Sequence, residues 1–127
     1  AIRYASASPD QEKLQAEVTE ILEKECAAAK AADVQTWNRY SDEFHLVFYR
    51  YCTNSRLAES AERLRSGISI FSNQYCRETV IQTRIDEEHL AIFQAYKDGD
   101  IEKAVQMMKT HLNDSLNYAL RFLPKTF

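Results

Sequence analysis

DEEHLAIFQAYKDGDIEKAVQMMKTHL, residues 86–112, places two of the chain's three histidines on the apolar faces of consecutive helices. Ile85, Ile92 and Tyr96 recur at helical spacing on one stripe, and His89 fills the slot between Ile85 and Ile92. Lys97-Asp98-Gly99 is a helix stop. After it Ile101, Ala104, Val105, Met108, Leu112 and Ser115 form a second stripe, with His111 three residues after Met108. In each helix an imidazole stands where a core aliphatic is expected.

Working outward, the 127 residues make one domain, long enough to bury a core unaided. Only two glycines and two prolines occur, among many Ala, Glu, Leu, Lys, Arg and Gln, which favours helices with short connections over strands that need turn chemistry. The expected fold is all-α, an antiparallel bundle of about six helices. The opening AIRYASA reads as the last turns of a truncated first helix, as in a fragment of a longer protein. A formal charge of -3, with acids and bases interspersed, provides no stripe to neutralise a phosphate backbone, so this segment is not expected to bind DNA by itself. Cys26, Cys52 and Cys76 lack the paired spacing of a zinc knuckle or disulfide scaffold and read as buried cytosolic thiols. No apolar run approaches a membrane span, and the expected location is the cytoplasm.

The remaining helices follow from caps and stripes. Ser8-Pro9-Asp10-Gln11 reads as a helix start, with Ser8 as cap and Gln11 in a capping box. The helix runs to about Lys30 on the stripe Leu14, Val18, Ile21, Leu22, Ala28 and Ala29. Its Glu25 is not clearly on that stripe. Asp33 caps a third helix whose face of Trp37, Tyr40, Phe44, Val47, Phe48 and Tyr51 demands an interior position, with His45 on its margin. Thr53-Asn54-Ser55 caps a fourth, carried by Leu57, Ala61, Leu64, Ile68, Phe71 and Tyr75, with a possible bend at Gly67. Thr79 or Thr83 caps the fifth, and Asp100 caps the sixth, which runs towards Leu123 and stops at Pro124.

Taken singly, a histidine on an apolar stripe is more often a hydrogen-bonded core residue than a ligand. An inward stripe covers about a third of a helix, however, so three histidines inward on three helices arise by chance roughly once in 25. Imidazoles converging in a bundle core suit zinc, nickel or another late first-row divalent ion, and they leave positions open for water or a ligand.

WNRYSDEFHLVFYRYCTNSRL and IDEEHLAIFQAYKDGDIEKAVQMMKTHL resemble the effector-binding domain of FadR-like GntR transcription regulators, the FCD domain. The shared features are Phe-His followed by an Asn before a Leu, then Glu-His, a Gly-Asp turn, and Met-x-x-His-Leu in the last helix. The resemblance covers nearly the whole chain. It implies a metal held by an aspartate four residues before the Phe-His histidine and by three histidines, positions that fall on Ser41, His45, His89 and His111. Ser41 departs from the pattern, and Asp42 is its possible substitute. The resemblance further implies a small carboxylate metabolite bound at or beside the metal, homodimer formation, no catalysis, and DNA contact only through a winged-helix domain that these residues do not include.

Helix geometry puts Tyr49, Ile85, Ser115 and Tyr118 one or two turns from the histidines as effector-binding candidates, with Tyr75 facing the same space. Arg65, Arg77 and Arg84 could pair with a carboxylate, and the sequence singles out none of them. Two other functions compete with ligand sensing. Asp42-x-x-His45 and Asp86-x-x-His89 suggest a carboxylate/histidine metal-dependent bundle enzyme, which needs two more inward carboxylates than the sequence clearly offers. A metal-free helical dimerisation domain, its histidines simply packed, is the third reading.

Overall fold

A computed structural model of the protein describes residues 1–52, 54, 56–57, 59–60, 63 and 78–121. Five helices lie among them: α1 (Ile2–Ser6), α2 (Gln11–Lys30), α3 (Val34–Arg50), α4 (Thr79–Lys97) and α5 (Ile101–Leu120). The fold is all-α, and no helix among these residues is long and apolar enough to cross a membrane. Most of the helix expected over 56–75, including Gly67 and Tyr75, lies outside the described residues. Its start is visible, with the Asn54 carboxamide oxygen accepting from the Arg56 and Leu57 amides at 3.1 and 3.4 Å.

Two hairpins make the frame, and the same turn closes both. At the end of α2 the Asp33 amide donates to the Ala28 carbonyl and the Ala32 amide to Ala29. At the end of α4 Asp100 and Gly99 repeat this towards Ala95 and Tyr96. The turn needs a left-handed residue. Gly99 supplies it at φ 80°, whereas Ala32 adopts φ 55° despite its Cβ, at a cost of about 1 kcal/mol. Asp33 and Asp100 then cap the following helices, accepting from Thr36 and Lys103 amides at 3.2 and 3.3 Å. Three-residue connections force α3 back along α2 and α5 back along α4.

The start of α2 differs from expectation. Asp10, not Ser8, is the N-cap residue, and its side chain makes no capping bond. The Gln11 side chain works elsewhere. Its amide donates to the Ala5 and Ser8 carbonyls, and its oxygen accepts from the Tyr96 hydroxyl at 2.6 Å, which ties α1, α2 and α4 together. Helix α4 begins at Thr79 with Glu78 as N-cap residue and no side-chain bond, so neither threonine caps it.

The main core joins Leu14, Val18, Phe44, Val47, Phe48, Ile92, Phe93, Tyr96 and Ala104, and a smaller cluster gathers Ala28, Ala29 and Trp37 around Ile85. Leu112 is a correction, for it is 50% exposed. One residue on from His111 it has turned about 100° away from the core. Cys26 and Cys52 are free and only partly buried, and Cys76 lies outside the described residues.

Candidate metal centre

α3, α4 and α5 each bring one histidine to the same place. The candidate ligand atoms of His45, His89 and His111 all lie within 4.8 Å of one another, and His89 Nε2 stands 3.0 Å from His111 Nε2. His89 and His111 are buried and His45 partly so. Phe44 stacks on His89 with ring centres 4.1 Å apart, which restricts rotation of that imidazole.

The far side of each ring decides which nitrogen faces inward. His89 Nδ1 lies 2.9 and 3.1 Å from the two oxygens of Glu25, and His111 Nδ1 lies 3.3 Å from Glu88 Oε2. Carboxylates accept, so the Nδ1 atoms carry the protons and donate. With the protons on Nδ1, both Nε2 lone pairs face one another across 3.0 Å, an arrangement that a cation between the rings would relieve. Metal–nitrogen bonds of about 2.1 Å meeting at about 90–110° set neighbouring donors about 3.0–3.4 Å apart. The His89–His111 spacing fits that requirement.

Glu25 reaches His89 from the opposite hairpin and is 0% exposed. Burial pushes its carboxyl up to about 7, against hydrogen bonds from Asp86 and Ser41 that hold it down. Burial also pushes Asp86 up, to about 8, with the Glu25 hydrogen bond adding to the effect. The two carboxyls share one hydrogen bond, and both are raised by burial. Trp37 Nε1 donates to Asp86 Oδ1 at 2.9 Å and completes a chain from Trp37 through Asp86 and Glu25 to His89. Burial, with repulsion from the neighbouring imidazoles, holds His45 and His89 well below the ordinary histidine value; burial also lowers His111, against the pull of Glu88. The three rings are neutral at pH 7, the form that binds metal.

Ser41 is buried one turn before His45, and its hydroxyl joins Glu25. Asp42 is also buried but is not in the group of converging donors, since one residue further along α3 is about 100° round the helix. A groove of about 810 Å³ runs between α4 and α5, with His111, Glu88, Ile92, Met107, Tyr118 and Arg84 in its wall. Tyr118, expected from the sequence as an effector-lining residue, lies in this wall. Ile85 packs against Ala28, Ala29 and Trp37 and is not in the groove's wall. Ser115 and Tyr49 are partly buried and do not line the groove, and Tyr75 lies outside the described residues.

Glu25 is buried, contrary to the expectation from sequence. It lies four residues after Ile21 and three before Ala28, squarely on the buried stripe, and that spacing was the available signal. Changing Glu25 to Gln keeps the volume but removes the charge behind His89. Metal affinity is expected to fall about 10–100-fold, read by competition with a chromophoric chelator, with little change in helix content.

Comparison with known proteins agrees with this geometry. The family model described as FCD domain matches residues 1–114. None of the curated proteins or solved structures compared with the chain matches it. With nearly its whole length matched, with an all-α fold and three histidines gathered from three helices, the chain belongs to the FCD domain family.

Proposed function

We propose that this chain is the ligand-sensing domain of a GntR/FadR-type transcription regulator and has no catalytic role. It binds one divalent ion, zinc before nickel or another first-row metal, through His45, His89 and His111. A small organic acid binds at or beside that ion. The observation that carries the reading is the pair of Nε2 atoms facing each other at 3.0 Å while both Nδ1 atoms are held by carboxylates. A purely packed histidine pair would turn one ring to donate to the other, and here both rings are held from behind. In this reading the metal also stabilises the fold, because ligand binding to the folded state adds free energy to it. The domain works in the cytoplasm as a homodimer, and DNA contact belongs to a winged-helix domain outside these residues.

Metal content of protein purified without an affinity tag tests the first half. About one ion per chain is expected. None would leave a packed dimerisation domain, and two with oxygen-dependent colour would favour a bundle enzyme. A thermal-shift screen of organic acids, run with and without metal, tests the second half: at least one acid should raise Tm only in the metal-loaded protein, and a screen without such a hit would remove the sensing claim.

A further inference from the structure

The groove between α4 and α5 holds a cation that the metal centre does not use. Arg84 sits on its rim with the guanidinium 5.9 Å from the centre of the Tyr118 ring, and it makes no ion pair among the described residues. It is one turn before Glu88, the carboxylate that holds His111 Nδ1. Tyr118 is two turns after His111, and both line the groove. Of the three histidines His111 alone lines this groove, and it stands about 10 Å of helix from Tyr118, beside which Arg84 lies. The long arginine side chain and a short acid span that distance together.

Charge decides what could rest there. Arg84 and Arg121 line the groove against Glu87, Glu88 and Asp114, two positive groups against three negative. Such a groove does not attract a free anion by its overall field. An acid anchored first at the ion is different, because its remaining end is carried to Arg84, whose planar fork matches a carboxylate. The ion has reason to take that first carboxylate, since all three protein donors are neutral imidazoles and Glu25 and Glu88 are turned to the Nδ1 sides.

Resting on the sensor reading above, we infer that Arg84 is the specificity residue for the effector and that the effector is a short diacid, one acidic group at the ion and the other on Arg84. A charge-assisted contact of this kind is worth about ten- to a hundredfold in Kd.

Calorimetric titration of metal-loaded protein with acetate and propionate against malonate, succinate and glutarate tests this, with metal content measured alongside. At least one diacid should bind about tenfold or more tightly than the monoacids. Arg84→Gln should erase that preference without altering acetate binding or metal content, and Arg84→Lys should keep part of it. A preference that survives in Arg84→Gln, or monoacids binding wild type as well as diacids do, overturns the inference and leaves the sensor reading standing. If no acid of either class binds while the metal is retained, both fall together.

Discussion

Changing His89 to alanine should strip the protein of stable metal binding, a larger loss than the about 100-fold that follows from removing an outer partner. His89 is central to the cluster: its Nε2 faces His111, its Nδ1 is held by Glu25, and its face is covered by Phe44. The substitution also acts without metal, because Glu25, 0% exposed in the wild type, loses one of its partners and keeps only Asp86 and Ser41. A buried charge that loses a partner is destabilised, and Glu25 can escape part of that cost by taking up a proton. Its folded-state value, already raised to about 7 by burial, rises further once the His89 donor is gone, while in the unfolded chain it returns to 4.5. A carboxyl with a raised folded value favours the folded state at low pH and loses that contribution as pH rises through the folded value. The variant should therefore be nearer to wild type at pH 6 than at pH 8. Urea titration of chelator-treated proteins at both values measures this, and an equal difference at the two would show that Glu25 does not carry the loss.

Much of this arrangement was legible in the sequence because it depends on periodicity. The buried faces of α2, α3, α4 and α5 follow their apolar spacing, and His45, His89 and His111 fall on or beside the faces of α3, α4 and α5. Asp33, Gly99 and Asp100 occupy turn positions whose chemistry is local. What escaped depends on partners distant in sequence. Glu25 is an acid whose burial makes sense only once His89, 64 residues later, supplies a donor. Asp86 likewise needs Trp37, 49 residues earlier. Read alone, each carboxylate looks like solvent-facing charge. Ala32 escaped for another reason: nothing in its identity announces a left-handed turn, which the hairpin closure imposes. Arg84 could not be separated from other arginines until the groove placed it on the same wall as His111.

The second large effect is expected at Phe44, which shows why the metal centre and the core are one structure. Phe44 is 0% exposed, packs edge-on against Phe48 with ring centres 5.6 Å apart, and lies face to face with His89. Phe44→Ala removes a large buried ring where α3 meets α4, and losses at such sites run to about 3–5 kcal/mol. An ordinary core truncation would stop there. Here the cavity opens beside the imidazole that must hold its Nε2 on the ion, so His89 gains freedom that metal binding must then remove. The variant should lose denaturant stability in the metal-free state and, separately, bind metal more weakly. Phe44→Leu restores much of the apolar volume without the flat stacking face. It should recover most of the stability and less of the metal affinity, as measured by urea titration and chelator competition on the same preparations. If stability and affinity recover in step, Phe44 acts on the core alone; a gap between them marks the stacking contact as part of the metal centre.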